Sequence, residues 1–252
     1  MTYTPYYFRG QGKLYCRLTT ETNDKLRFMG NVPELMLGTN QQKQAHQESY
    51  TGDRRTDLRM TTATTVTMQF TMEDVMKENW QVALKASAAA QAGATVTNES
   101  HTAPAVGGYF ALAKKNITAL TSLTSDPAGT TYTAGTAYVA SPPSNVIYVP
   151  SGSTMAGAAI LANYTCGAAD VIGAFNATDA DLYFYFDGLN TVDGNAPVVI
   201  EMFKANLDSA SQVALISDNL VNLQVSGELL YDTSNDTTGA DFGGYFKVTQ
   251  TQ

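Results

Sequence analysis

Side chains of one kind fall on every second position twice in this chain, once early and once late. The first run is Leu58, Met60, Thr62, Thr64, Val66, Met68 and Phe70, with Arg59, Thr61, Ala63, Thr65, Thr67 and Gln69 between them. The second is Val221, Leu223, Val225, Gly227, Leu229 and Tyr231, alternating with Asn222, Gln224, Ser226 and Glu228. A period of two predicts a strand with one buried and one wet face. Shorter strands are expected where Leu14, Cys16 and Leu18 alternate, at Leu26 and Phe28 before the Gly30-Asn31 turn, and from Val32-Pro33 through Leu37. Later come the apolar runs Leu182–Phe186 and Val198–Phe203, a polar loop at Thr233–Gly239, and a closing strand Tyr245–Val248 behind Gly243-Gly244.

Between the early strands the pattern stops. From Thr39 to Asp57 the chain reads TNQQKQAHQESYTGDRRTD, in which only Ala45 and Tyr50 suit a core. Polar connections of this length inside a domain are usually functional or disordered. This one leads into a well-specified strand, so it is expected to be an arm that orders against a partner.

Helical spacing appears once. Met72, Val75, Met76, Trp80, Ala83 and Leu84 share a face opposite Glu73, Lys77, Glu78 and Gln81, with Thr71 and Asp74 as a variant capping box. A helix over Met72–Lys85 packed on a sheet is expected, its Met/Trp stripe serving as core rather than as a cofactor box. Residues 87–108 are rich in Ala and Gly and predict a linker or surface excursion. Short strands then return at Tyr132–Tyr138, Asn145–Val149 and Ala159–Cys166, punctuated by Gly129, Gly135, Pro142-Pro143 and Ser151-Gly152. The expected fold is mainly β: an antiparallel sandwich or partial barrel with one flanking helix at about 72–86, a long polar arm loop and a small β insertion. Residues 1–94 and 169–252 would form the core and 95–168 the insertion.

Composition narrows the picture. The 252 residues are 44% hydrophobic but only 15% charged, which suits a β-rich protein whose surface is covered by copies of itself. The net charge of −8 is uneven. Residues 1–60 hold nine bases and six acids, whereas 61–252 hold six bases and seventeen acids. Opposite surpluses on one chain attract neighbouring copies, although a solvated acidic surface explains the charge equally simply. Overall acidity argues against tight nucleic-acid binding. Cys16 and Cys166 sit among apolar residues and are expected as buried thiols, in a chain without an apolar signal core or a membrane span.

No catalytic grouping stands out. His46 and His101 lack partners at metal-ligand spacing and are expected at a surface or interface. Gly10-Gln11-Gly12 lacks the third glycine of a dinucleotide loop. Asp179, Asp181, Asp187 and Asp193 lack calcium-loop spacing and suit turns better. Sequons at Asn98, Asn116, Asn163, Asn176 and Asn235 are expected as chance matches in a Thr-rich chain. No cofactor, metal or enzymatic activity is expected.

Three stretches together resemble the major tail tube protein of long-tailed bacteriophages. One is GNVPELMLGTNQQKQAHQESYTGDRRTDLRMTTATTVTMQFTMEDVMKENWQVALKA, residues 30–86, with the turn Ser49-Tyr50-Thr51-Gly52 and Asp57 opening the strand. Another is TAYVASPPSNVIYVPSG followed by ANYTCGAA, within residues 136–169. The third runs from LYFYFDGLN to VSGELLYD, residues 182–232, and matches best. The resemblance implies hexameric rings stacked into a tube that guides DNA from capsid to host. The partners it implies are other copies of the chain, a tape measure protein, and tail terminator and tip proteins, with DNA only in transit. The location it implies is the virion tail, after assembly in the host cytoplasm. The arm would then supply inter-subunit and inter-ring contacts through Gln42, Lys43, His46, Glu48, Tyr50, Asp53, Arg54, Arg55, Asp57 and Arg59.

Two other readings remain open. One is a β-rich receptor- or glycan-binding virion module, using the 14 tyrosines and the loop 232–243. The other is the ring protein of contractile injection machines, usually shorter than this chain.

Overall fold

Alternating sequence builds strands here wherever one face has a core to meet. The computed structural model describes residues 7–21, 25–140, 145–235 and 243–250. In chain order its elements are β1 (Gly10–Leu18), β2 (Arg27–Phe28), β3 (Glu34–Gln47), β4 (Thr56–Met72), α1 (Lys77–Leu84), β5 (Ser87–Gln91), β6 (Ala94–Thr102), β7 (Tyr109–Ala111), β8 (Ile117–Ser125) and β9 (Thr131–Tyr132). They continue with β10 (Val139–Ala140), β11 (Val146–Tyr148), β12 (Ala159–Cys166), β13 (Ala169–Gly173), β14 (Leu182–Asn190), β15 (Ala196–Leu207), β16 (Leu223–Leu229) and β17 (Phe246–Gln250). The fold is mainly β, its ladders antiparallel, with one α-helix among the described residues. Pro142-Pro143 and residues 236–239 of the Thr233–Gly239 loop lie outside the described residues, as does most of the loop 232–243.

Two compact units share the chain: Met1–Ser87 with Ile172–Gln252, and Ala88–Val171. The first unit holds a sheet in the order β2-β1-β14-β15-β16-β4-β3, with β17 paired to β15 off this path. β15 forks the sheet. Its residues Val198–Met202 pair with β17, while Ala205–Leu207 pair with β16. The two wings then face each other across one core. Phe70 of β4 and Phe184 of β14 are not ladder neighbours, yet their rings meet edge-on with centroids 5.5 Å apart. Leu14, Met68, Met72, Met202 and Val225 fill the space around them. Closure also demands a small residue at Gly227, where a Cβ would strike the Asn206 carbonyl on β15.

The helix differs from its expected span. Met72 stays in β4, paired with Leu223 of β16, so the chain cannot turn helical until it clears the ladder. Residues 73–76 form an extended bridge, fixed where Glu73 N–H donates to the Asn31 carbonyl and the Asp74 carboxylate accepts from Asn31 N–H at 3.0 Å. Asp74 is therefore spent on the Gly30-Asn31 turn, and Met76 caps the helix without a side-chain bond. Val75 and Met76, expected on the buried stripe, are 41% exposed. Eight residues are marginal as an isolated helix. Tertiary contacts hold this one: Ala83 is buried, and Asn79 donates to the carbonyls of Met29 and Asp74 while accepting from Arg27 at 2.7 Å. Lys85 ends it in the left-handed region.

The second unit packs two small sheets, β6-β12-β8-β9 and β10-β11-β7, on one core that includes Leu123, Ile147, Met155, Ile160 and Tyr164. Residues 87–108, expected as a linker, instead supply β5 and β6. Alanine and threonine pair as well as larger residues where a neighbouring strand supplies the ladder, and β12 does so for β6. The expected strand Tyr132–Tyr138 shrinks to Thr131–Tyr132, because Gly135 adopts a positive φ of 87° in a turn. Cys16 lies buried and free in the first unit, Cys166 in the second. No helix among the described residues is long and apolar enough to cross a membrane.

Candidate functional site

The arm expected as a loop is a ribbon. β3 and β4 pair from Glu34↔Thr71 down to Gln47↔Thr56, with two bulges on β4. In the upper half the ladder lies on the core: Leu35 and Leu37 pack against it, and Val66, Met68 and Phe70 are buried. Below Gly38 every residue of β3 is exposed, and so is every residue of β4 up to Thr64. Both faces of this lower half are wet, so β3 carries no alternation there that would announce a strand, and the alternation of Leu58–Thr64 on β4 marks no buried face. Backbone hydrogen bonds form the ladder regardless of side chain. At about 3.3 Å per residue the ribbon below Thr39 is roughly 30 Å long.

Two bulges shape it. The register slips between Gln42 and Lys43, leaving Thr62 unmatched on β4, and again between His46 and Gln47, leaving Asp57 unmatched. Each extra residue sharpens the twist and shifts the side-chain alternation. The run Leu58–Phe70 therefore does not mark one continuous buried face. Leu58 is 52% and Met60 46% exposed, whereas Val66 and Phe70 are buried.

The ribbon's outer edges are open. β16 covers β4 only over Val66–Met72, and β3 is the last strand of the sheet. Over 40–47 and 56–65, each strand has its sister on one side and no strand on the other among the described residues. A lone two-stranded ribbon is marginally stable in water, and open edges template pairing with another chain.

The ten residues expected at the arm all lie on this ribbon. Gln42, Lys43 and His46 stand on β3, and Asp57 and Arg59 on β4. Glu48, Tyr50, Asp53, Arg54 and Arg55 form the tip. The structure pairs four of them. His46 Nδ1 lies 2.7 Å from Asp57 Oδ1, and Arg55 donates to Asp53 at 2.6 Å. The hydrogen bond with His46 holds the Asp57 carboxyl below its ordinary value. Lys43, Arg54 and Arg59 have no ion-pair partner among the described residues. Tyr50 is 83% exposed.

Glu48 turns inward, unlike the others. Its carboxylate accepts from the Thr51 hydroxyl, from the amides of Tyr50 and Thr51 at 2.9 and 3.0 Å, and from the Arg55 amide at 3.3 Å. These donors, led by the Thr51 hydroxyl, pull its pKa from 4.5 to about 2. Gly52, at a φ of 89°, lets the chain reverse around it. A group whose folded pKa is depressed stabilises the fold fully above its ordinary value and loses that effect as pH falls through the folded value. The tip is thus expected to stay ordered above about pH 4.5 and to loosen toward about pH 2. Glu48→Gln should loosen it at neutral pH. Amide NMR shifts of Tyr50 and Thr51 report both; shifts unchanged in Glu48→Gln would overturn the assignment.

Other polar groups point to structure rather than chemistry. His101, expected at a surface or interface, is half-buried in the second unit with Nε2 2.5 Å from Glu99 Oε1. Glu99 also accepts from the Tyr164 hydroxyl at 2.5 Å and the Ala113 amide at 2.9 Å. Desolvation works against the Glu99 carboxylate, but these three donors outweigh it and hold its pKa down. Desolvation and the Glu99 bond raise Tyr164 to about 12. Asp179 and Asp181 sit beside Lys85 and Lys204 at 2.8 and 3.3 Å. The described residues contain no cluster of three metal-ligating side chains.

Sequence reasoning found the arm's polar residues and missed its open edges. It also missed Leu58 and Met60 as exposed groups.

A family described as "Protein of unknown function UCP028589" matches residues 7–249, nearly the whole chain. The protein therefore belongs to that family. No curated protein matches it.

Proposed function

We propose that this member of the family is a non-enzymatic structural subunit, which assembles with copies of itself into stacked, hexameric rings forming the tail tube of a long-tailed bacteriophage. The observation that carries the reading is the β3–β4 ribbon, which extends past the core with both backbone edges open and no buried side to anchor it. Such a ribbon is completed when another chain covers it, and in a closed ring of identical subunits each copy supplies the cover for the next. Free Lys43, Arg54 and Arg59 on the ribbon suit the acidic surplus of residues 61–252 on a neighbouring copy. That surplus also suits a conduit through which DNA slides without sticking, since phosphates are repelled by net negative charge. The texture of residues 30–86, 136–169 and 182–232 points the same way. Tape measure, terminator and tip proteins are the further partners, the virion tail is the location, and assembly takes place in the host cytoplasm.

Negative-stain electron microscopy of the purified protein at high concentration tests this. Hollow tubes of regularly stacked rings are expected. Single particles that stay monomeric at every concentration would overturn the reading. Glycan binding with density at a tail tip, rather than along a shaft, would favour a receptor-binding module instead.

A further inference from the structure

The connection between β15 and β16, residues 208–222, is anchored at its base and bare at its tip. Asp208 N–H donates to the Ser226 carbonyl and Ala210 N–H to the Ala83 carbonyl, each at 2.7 Å. Val213 packs against the first unit's core. Beyond it Leu215, Ile216 and Leu220 are 77%, 99% and 84% exposed. Ser217 Oγ accepts from Asn219 N–H at 3.0 Å and closes the tip into a turn. Single exposed aliphatics are ordinary, but three large ones within one turn mark a contact surface.

The same unit carries a complementary hollow. α1, β1 and the segment 177–182 enclose a cleft of about 780 Å³, within the size range of clefts that hold a guest. Its lining includes the aliphatic Leu18, Leu26, Val82, Leu182 and Leu207, beside charged groups of both signs. None of the exposed tip residues lines it. Lys25 stands at the cleft without an ion-pair partner among the described residues, and Asp218 stands between Ile216 and Leu220, likewise unpaired.

We propose that the tip Leu215–Leu220 of one copy inserts into this cleft on a second copy, with Asp218 meeting Lys25. The inference rests on the self-assembling reading and adds to it a second contact, separate from the ribbon. Tip and cleft are different surfaces of one molecule, so the contact is heterologous. Repeated, it closes into a ring or continues as a filament.

Three variants test it. Leu215→Ser, Ile216→Ser and Leu220→Ser combined alter only exposed side chains, so thermal melting should hold while self-association by sedimentation falls about tenfold or more. Ala180→Trp, placed at an exposed position of the cleft mouth, should weaken association similarly. Cys16 is a free thiol in the cleft lining, so in a Cys16→Ala background Ile216→Cys mixed with Ala180→Cys and oxidised should give a cross-linked pair that neither gives with the Cys16→Ala chain alone. A triple variant that assembles normally would overturn the inference, as would a mixture of the two cysteine variants that gives no cross-linked pair. If the triple variant makes tubes but a chain with a shortened ribbon does not, this inference fails and the tube reading stands. If association needs the tip yet yields no tubes, the tube reading fails and this contact stands.

Discussion

Replacing residues 41–64 with an Asn-Gly turn should yield a folded monomer and, on the proposed tube reading, should abolish tube formation. Asn40 and Thr65 are ladder partners, so a two-residue turn between them closes the hairpin in register. Nearly everything removed is exposed, and shortening an excursion that contributes little core relieves chain entropy. Thermal melting should therefore shift by no more than a few degrees, as for surface changes of about 0.5 kcal/mol. Assembly should respond far more. Each ribbon edge offers a row of backbone hydrogen bonds worth roughly 1 kcal/mol apiece. Losing even two or three raises the concentration needed for assembly about tenfold to a hundredfold. Normal tubes from the shortened chain would remove the ribbon from the assembly mechanism. A chain that fails to melt cooperatively would show that the ribbon supports the fold instead.

Phe184→Ala should cost about 3–5 kcal/mol, the range for emptying a buried aromatic site. Phe184 is fully buried on β14 and meets Phe70 of β4 edge-on. The substitution therefore leaves a void where the two wings of the forked sheet face one another. Against a typical domain stability of about 5–15 kcal/mol this is about a fifth of the total or more. Trp80 is the chain's single tryptophan and packs on the same core, so its fluorescence in a urea titration follows this unit. Phe175→Ala, at a site 69% exposed, serves as the control and should change little. A loss below about 1 kcal/mol at Phe184 would mean that the wings do not close on each other as described.

The strand most legible from alternation, β16, has a core on one side and water on the other. β16 alternates buried and exposed from Leu223 to Leu229, as its sequence foretold, and β12, expected only as a short strand, alternates buried and half-buried from Ile160 to Cys166. Such alternation is local and needs no knowledge of the partner strand. The helix was legible in kind but began at Lys77 rather than Met72, because the ladder with β16 holds Met72 extended. β5 and β6 were missed because alanine and threonine carry little local signal, and their pairing lies with distant residues.

By itself the sequence determined that residues 39–57 would stay out of any core, since too few apolar side chains exist there to repay burial. It also determined that a strand would follow, although only the part of that strand beyond Thr64 is half-buried. Only the tertiary structure decided that this polar stretch is a bulged, two-stranded ribbon with open edges, that Glu48 folds inward to order its tip, and that β15 forks the sheet into facing wings. Those features depend on backbone hydrogen bonds between residues far apart in the chain. A main-chain amide or carbonyl is the same group at every position, so side-chain pattern does not reveal which partner it takes.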